Sequence, residues 1–344
     1  MIVMKRLLAI AAVLSFATPA NAAAPELSEV KLPFLWSEAG LGTVAVDVGG
    51  GAWIGGAQGK YCIKWADFCA VSSPGNPVLR HREGTFWKEY PLNGWNGQPL
   101  NGQGQIAKVV SSGAETWVMG TDRAGYPGTY VARFDGKAFQ PVTLPVKDIS
   151  SLYTSPAGTF ITYYEGLDSR LAKRTGTTWT EIKLPDLFSP YDVQGLAGND
   201  LWSVGGGSGG ASYVQHFDGK TWTSTKLNAG LGDEFVSAIA PVTSKNVWAL
   251  SNLRLLHWTG SAWTGVNAPA GTDGLSDLAV DASGTPWVTL RKSGSATGLP
   301  YRYVLGAWEP VKLPAGVSVG DLAAAPGGGV WGVGAKGNAP TVVN

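Results

Sequence analysis

The chain has few of the residues that active sites and charged ligands usually require. Among 344 residues there are three histidines and two cysteines, and the 26 lysines and arginines nearly balance the 25 aspartates and glutamates. Lys5 and Arg6 belong to an N-terminal targeting segment, which leaves 24 basic and 25 acidic groups, a net charge of −1. This balance gives no electrostatic reason to expect binding to nucleic acid or to an anionic membrane.

Catalytic and metal-binding motifs are also missing. The sequence contains no H-x-H, no H-E-x-x-H, no Ser/His/Asp order and no phosphate-binding loop. His81, His216 and His257 each precede a turn at the same position of a sequence repeat, which favours a framework role over that of a general base. We therefore expect no catalytic residue and no metal ligand, with Ca²⁺ as the only cofactor worth considering.

Long apolar runs are confined to the N-terminus. Lys5 and Arg6 are followed by an apolar run over residues 7–16 and an A-x-A cleavage motif at 20–22, which predicts a signal peptide over residues 1–22. The run is too short for a membrane anchor, and no cysteine follows the cleavage motif to carry a lipid. We expect a mature domain over 23–344, without membrane insertion, in the periplasm or the medium.

The two cysteines, Cys62 and Cys69, stand seven residues apart. In an oxidising compartment such a pair favours a small disulfide loop, worth roughly 2–3 kcal/mol at most. A zinc or redox centre is the alternative, but no histidine lies nearby and the spacing is not C-x-x-C. We expect the disulfide to stiffen an insertion in this part of the chain.

Tryptophan and glycine, in contrast, are abundant and periodic. Key aromatics recur from Trp117 to Trp331 at gaps of 43, 42, 46, 39 and 44 residues, and each copy consists of four short apolar runs separated by turns. A period near forty made of four strands indicates a β-propeller. The gap from Trp53 to Trp117 is 64, so the first blade carries an insertion of about twenty residues.

The copies predict an all-β fold with seven four-stranded blades that start near residues 43, 106, 149, 193, 236, 276 and 318. The chain ends after a third strand, and residues 26–33 match residues 179–185, which close the third blade. We expect the segment at about 26–33 to complete the last blade and close the ring, because an open ring leaves two unpaired sheet edges. One domain, 23–344, accommodates all seven blades.

Most tryptophans occupy the second or fourth strand of a blade, where we expect them to pack blades together. Trp36, Trp65 and Trp95 instead fall in connections that emerge on one rim. The predicted ligand-binding residues are these three with their polar neighbours Asn93, Asn96, Asn101, Arg123 and Tyr126. An aromatic platform with amides beside it suits a glycan. Exposed aromatics also mark protein interfaces. A third interpretation is that the three tryptophans pack the insertion onto the propeller.

Acidic residues in loops leave an enzymatic alternative open. Glu165, Asp168, Asp233 and Glu234 lie on the same predicted rim. They are candidates for Ca²⁺ ligands, or for the acid and base of a lyase or hydrolase. The other interpretation is that they are solvated loop charges.

Several segments resemble known propellers. The alternation of VWALS (247–251) or GVWGVG (329–334) with HFDGKTW (216–222) resembles secreted bacterial β-propellers of the tectonin-like and kelch-like kind. That resemblance implies glycan or surface binding. The segment 281–287, DASGTPW, resembles a blade of streptogramin-lyase propellers, but no histidine stands where those enzymes need one. FDGKTW resembles the sialidase Asp-box without its S-x-D-x-G spacing.

We therefore expect an exported, monomeric, non-catalytic binding module for a glycan or a cell-envelope protein. A lyase or hydrolase, or an interaction scaffold with no small ligand, are the alternatives.

Overall fold

In the computed structural model, the described residues are 25–344 except 66, 74, 96–103, 122–126, 148, 187, 208–209, 228–233 and 293–294. All regular elements in this part of the chain are β-strands. The predicted signal peptide, residues 1–22, lies outside it. Among the residues that are described, none forms a helix long and apolar enough to cross a bilayer.

The strands form seven antiparallel sheets, the blades, around a central channel, which confirms the predicted all-β seven-bladed propeller. Within a blade the strands follow chain order from the channel outward, and the innermost strands neighbour one another around the ring. Blades one and two, with an inserted hairpin, comprise β1 (Gly40–Val46), β2 (Ala52–Gln58), β3 (Tyr61–Trp65), β4 (Phe68–Ser73), β5 (Asn76–Glu83), β6 (Phe86–Glu89), β7 (Gln105–Ser112), β8 (Glu115–Thr121), β9 (Pro127–Phe134) and β10 (Phe139–Pro141).

Blades three and four comprise β11 (Ser151–Ser155), β12 (Gly158–Glu165), β13 (Asp168–Thr175), β14 (Thr178–Ile182), β15 (Ser189–Ala197), β16 (Asp200–Gly206), β17 (Ser212–Phe217) and β18 (Trp222–Lys226). Blades five to seven comprise β19 (Val236–Thr243), β20 (Asn246–Ser251), β21 (Arg254–Trp258), β22 (Trp263–Asn267), β23 (Gly274–Val280), β24 (Pro286–Lys292), β25 (Ser295–Val304), β26 (Ala307–Pro310), β27 (Val317–Ala324), β28 (Val330–Lys336) and β29 (Ala339–Val343). Strands β3 and β4 form a separate hairpin between the second and third strands of blade one, as the insertion predicts.

Blade seven takes its outer strand from the opposite end of the chain. Glu29 pairs antiparallel with Val343, and the Val30 N–H donates to the Val342 carbonyl at 2.8 Å. The predicted closure by the segment near 26–33 is therefore confirmed. These bonds occupy the outer edge of β29, which would otherwise expose unpaired backbone groups.

A β-bulge in the innermost strand explains the glycine that follows the aromatic of the second strand. In six of the seven blades the register between first and second strands slips by one residue near the start of the first. A Cβ added at Gly56, Gly205 or Gly334 would lie 1.9–2.1 Å from a carbonyl oxygen of that strand. Glycine allows this close approach in these three blades, whereas Ser251 and Leu290 take the equivalent position in the bulged blades five and six.

The second-strand aromatics form the core between blades. All seven are buried: Trp53, Trp117, Phe160, Trp202, Trp248, Trp287 and Trp331. The fourth-strand tryptophans, which we expected to be core residues, are only half-buried. Four of them use the indole N–H to reach a carbonyl at the outer edge of the preceding blade, at 2.8–3.0 Å: Trp87, Trp179, Trp222 and Trp308. These bonds join neighbouring blades at the rim of the ring.

Candidate binding face

The propeller has two ends with different connections. We call the end that holds the turns between first and second and between third and fourth strands the turn face. We call the other end, with the connections between second and third strands and the links between blades, the link face. Of the fourteen exposed large apolar side chains among the described residues, eleven lie on the link face and only Val48, Phe86 and Leu305 on the turn face. Exposed apolar groups mark interaction sites, so the link face is the candidate binding face.

The β3–β4 hairpin carries a continuous apolar strip on this face. Tyr61, Ile63 and Trp65 alternate along β3, and strand residues two apart point to the same side. All three are exposed, Trp65 by 73%. Cys62 and Cys69 form the predicted disulfide across the hairpin. The strip is therefore presented by a cross-linked hairpin, and sequence reasoning identified only its tryptophan although the alternation was visible.

Trp36 lies at the base of the same hairpin. Its backbone N–H donates to the Gln58 side-chain oxygen at 3.0 Å, and the Ser37 carbonyl accepts from the Gly59 N–H at 2.8 Å. The indole lies over Gly59, 3.1 Å from the position that a Cβ would take there. Its side chain stays 54% exposed. Trp36 thus lies at the base of the hairpin and Trp65 at its end. The rings of these two described residues are not in contact.

Trp95 and Asn93 are engaged with blade two instead. The half-buried Trp95 ring packs edge-on against Tyr130 at a centroid distance of 4.8 Å, and a Cβ at Gly120 would lie 2.2 Å from it. The Asn93 side chain donates to the Gln140 side-chain oxygen at 3.1 Å, and its carbonyl accepts from the Tyr130 hydroxyl. For Trp95 the structure therefore matches the packing interpretation.

The remaining residues of the predicted site, Asn96, Asn101, Arg123 and Tyr126, lie outside the described residues. The complete site stays a prediction. Its described members divide into two exposed tryptophans at the hairpin, Trp36 and Trp65, and two residues that hold the link between blades one and two.

Two of the loop carboxylates considered for catalysis or Ca²⁺ binding are ion-paired on blade three. Glu165 and Asp168 lie 3.1 and 3.7 Å from the Arg170 guanidinium. In the described part of the chain, no group of three or more histidine, cysteine, aspartate or glutamate side chains could hold a metal ion.

Glu234 is also paired, and it is buried. Its carboxylate accepts from the Arg254 Nε and Nη2 atoms at 3.1 and 2.9 Å and from the Ser251 hydroxyl. Asp233 lies outside the described residues. A doubly bonded Arg–carboxylate pair in a buried position fixes the entry into blade five rather than offering a free base.

The three histidines form part of the blade framework. Each ring stacks on the second-strand tryptophan directly opposite, at centroid distances of 4.1, 4.1 and 3.9 Å: Trp53–His81, Trp202–His216 and Trp248–His257. Each Nε2 hydrogen-bonds at 2.7–2.9 Å to a side chain at the turn face: Asp47, Asp200 and Asn246 respectively. Burial lowers the pKa of His257, which favours the neutral ring in this stack.

Sequence reasoning missed a ring of polar side chains at the centre of the channel. The side chain of the residue after the bulge of an innermost strand contacts the next blade. Four of these side chains accept a hydrogen bond from a backbone N–H of that blade, at 2.6–3.1 Å. The exception is a lysine Nζ, 3.2 Å from a serine hydroxyl. We call this set the channel girdle: Thr43, Lys108, Asp192, Asp277 and Asp321. Its members stand nine or ten residues before the second-strand aromatic, a signal that was present in the repeat.

Burial sets the ionisation of the girdle. It raises the pKa of Asp277 to about 6, and it raises that of Asp321 well above the usual range, aided by repulsion from Asp277. Burial likewise raises the pKa of Asp192, opposed by Lys108, whose own pKa burial lowers. Because the carboxylates are occupied by backbone N–H groups of the next blade, we assign the girdle to ring closure rather than to chemistry.

No protein-family model and no curated protein matches this sequence. Solved structures do match. The extracellular domain of a hybrid two-component system from B. thetaiotaomicron superposes with a TM-score of 0.59 at 12% identity, over 93% of this chain and 39% of that one. YCF48 from Cyanidioschyzon merolae matches with a TM-score of 0.59 at 16% identity, over 93% and 98% of the two chains.

A puromycin-hydrolyzing peptidase from Mycobacterium tuberculosis matches equally well, with a TM-score of 0.59 at 14% identity over 93% of this chain and 54% of that one. This chain thus spans about two fifths of the length of the first of these three structures. At such identities the likenesses establish the β-propeller fold, and a fold shared by the extracellular domain of a two-component system and a peptidase does not define an activity.

Proposed function

We propose that this protein is an exported, non-catalytic binding module that engages a cell-envelope protein through the β3–β4 hairpin. The observation that carries the proposal is the exposed strip of Tyr61, Ile63 and Trp65, with Trp36 at its base. Three adjacent apolar side chains in water have no favourable role in a monomer. They do have one when a partner covers them, because buried aromatic anchors supply most of the energy of protein interfaces.

A protein partner fits this strip better than a glycan. Ile63, in the middle, offers a branched aliphatic surface and no planar ring on which a sugar could stack. The amide expected beside the platform, that of Asn93, is bonded to Gln140 on blade two. A cross-linked hairpin also loses little conformational freedom on binding, which favours association.

Export rests on the N-terminal pattern and on the disulfide. Disulfides persist in oxidising compartments, and Cys62–Cys69 is formed here. The fold likeness to an extracellular domain agrees with this compartment. The tectonin-like and kelch-like resemblance supports binding at a surface. We propose that the mature chain acts as a monomer.

Site-specific photo-crosslinking tests the proposal. A photoreactive phenylalanine analogue replaces Trp65 in one variant and Phe86, which is 78% exposed on the turn face, in a matched control. After irradiation of intact cells, we expect a discrete protein adduct from position 65 alone. An Ile63→Ser change in the position-65 variant should abolish it while leaving the thermal melt unchanged.

Adducts of equal yield from positions 65 and 86, or none from position 65, would contradict the proposal. Binding to a glycan array that Trp65→Ala removes, without any protein adduct, would assign the strip to a glycan instead.

A further inference from the structure

A second candidate site lies on the link face, away from the hairpin. A pocket of about 610 Å³ opens between blades three and four. Its lining includes Asp168 after β12, Asp186 between β14 and β15 and Gly207 after β16, with Phe235 contributed by the entry to blade five. This volume is within the range in which proteins enclose small-molecule ligands. The hairpin belongs to blade one, so the two sites share no residue.

Two aromatic rings form one corner of the pocket. The Tyr191 and Phe235 centroids are 4.5 Å apart, with the planes inclined by 38°, and the residues are 40% and 44% exposed. The glycine at 206 makes this placement possible, because a Cβ there would lie 2.5 Å from the Tyr191 hydroxyl oxygen. Both rings are therefore preorganised to pack against an apolar surface of a ligand.

The facing wall is polar and electrically balanced. Asp168 and Asp186 line it together with Arg170 and Lys183, two acids against two bases. Arg170 is also ion-paired with Glu165, at 3.1 Å, a carboxylate outside the lining. The lining side chains thus carry no net charge, the neighbouring Glu165 disfavours an anion, and the pocket offers several hydrogen-bond donors and acceptors beside an aromatic corner.

We propose that this pocket binds a short, neutral oligosaccharide. A pyranose ring combines an apolar C–H face, which stacks on aromatic rings, with hydroxyl groups that both donate and accept hydrogen bonds. Its C–H face would lie on Tyr191 and Phe235, and its hydroxyl groups would meet Asp168, Asp186 and Lys183. This assignment does not depend on the partner proposed for the hairpin.

Isothermal titration of the mature protein with neutral trisaccharides tests the assignment. The probes are chitotriose, cellotriose, xylotriose and maltotriose, with trigalacturonate as the anionic control and choline as the cationic control. We expect at least one neutral trisaccharide to bind. Tyr191→Ala and Phe235→Ala should each weaken that binding about tenfold or more, as loss of a central aromatic contact does.

Two variants separate the site from the fold. Tyr191→Phe keeps the ring and should retain binding, whereas Tyr164→Ala removes an exposed ring of blade three that does not line the pocket and should change nothing. Trp65→Ala should also leave trisaccharide binding intact, so that failure at one site is distinguishable from failure at the other. The assignment is overturned if no neutral trisaccharide binds at ~10 mM, if choline or trigalacturonate binds instead, or if Tyr164→Ala is as damaging as Tyr191→Ala.

Discussion

The two faces of the propeller differ in how their polar groups are hydrogen-bonded and in how much apolar surface they expose. On the turn face, an aspartate accepts the backbone N–H groups of its own turn at 2.8–3.1 Å in four places: Asp47, Asp135, Asp218 and Asp281. They form two matching pairs, Asp47 with Asp281 between first and second strands and Asp135 with Asp218 between third and fourth strands. The turn face exposes few large apolar side chains among the described residues. The link face carries instead a cross-linked hairpin, an aromatic-lined pocket and most of the exposed apolar side chains.

The difference shows which connections the fold leaves free to vary. Turn-face residues are tied to the buried aromatics, as when Asp200 bonds both the Trp202 indole and His216. A substitution of such a turn-face residue therefore disturbs the packing of the aromatics between blades. Some link-face connections make such contacts too, as when the Asn93 carbonyl accepts from the buried Tyr130 hydroxyl. The β3–β4 hairpin, which forms a separate sheet with exposed side chains on β3, can acquire binding residues at little cost to stability.

The largest expected effect contrasts two tryptophans. Trp202→Ala should cost about 3–5 kcal/mol of unfolding free energy, because it empties a buried site and removes the stacking partner of His216. Trp65→Ala should stay within about 0.5 kcal/mol, since the side chain is mostly in water. Urea unfolding of both variants measures the difference. Comparable losses would mean that the hairpin packs against the ring.

The channel girdle should show a pH dependence of unusual sign. Asp277 has a pKa of about 6 in the fold against 3.8 ordinarily, so its protonation stabilises the folded state fully below pH 3.8, and this contribution is lost as the pH rises through 6. Asp277→Asn cannot ionise. Its unfolding free energy relative to the natural chain should therefore increase by up to about 3 kcal/mol between pH 4 and pH 7.

Asp218 on the turn face provides the contrast. The N–H groups of Thr221 and Lys220 lower the pKa of its carboxyl, so its stabilisation is present above pH 3.8 and is lost as the pH falls through the folded-state pKa. The unfolding free energy of Asp218→Asn relative to the natural chain should accordingly decrease as the pH rises through this window. Urea titrations at pH 3, 4, 5, 6 and 7 compare the two, and slopes of the same sign would refute the assignment.

The disulfide should act locally. In the Cys62→Ser/Cys69→Ser variant, the β3–β4 hairpin should lose up to roughly 2–3 kcal/mol, the value for closing a short loop, while the blades keep their stability. The reason is that the hairpin forms its own two-stranded sheet outside blade one. Hydrogen exchange should quicken at residues 61–73 and stay unchanged in β2 and β5. Faster exchange throughout blade one would show that the insertion supports the ring.

The blade pattern and the closing strand were predictable because they repeat. Seven copies let the second-strand aromatics, six tryptophans and Phe160, be aligned, and the similarity of residues 26–33 to 179–185 revealed the strand that closes the ring. The role of Trp95 was not predictable, since its burial depends on Gly120 and Tyr130 of a neighbouring blade. A contact between residues of two blades cannot be recognised in the sequence of one repeat.

The girdle and the pocket illustrate two further limits. Asp192, Asp277 and Asp321 do recur at a fixed distance from the aromatics, but threonine, lysine, serine and alanine take the same place in other blades. Five different residue types therefore occupy one structural position, and alanine among them cannot make the contact, so residue type alone did not reveal the girdle. Tyr191 and Phe235 are 44 residues apart and meet only because blades four and five are adjacent.

The smallest effect concerns single carboxylates on the two faces. Asp281 accepts the N–H groups of Ser283 and Thr285 and the Trp287 indole N–H at 2.9–3.1 Å, so Asp281→Ala should cost about 1 kcal/mol of unfolding free energy. Asp168→Ala, on the link face, should be neutral, because its ion pair with Arg170 is exposed. Thermal melts of the two variants in parallel make the test. A loss at Asp168 equal to that at Asp281 would mean that the link face, too, carries the stability of the ring.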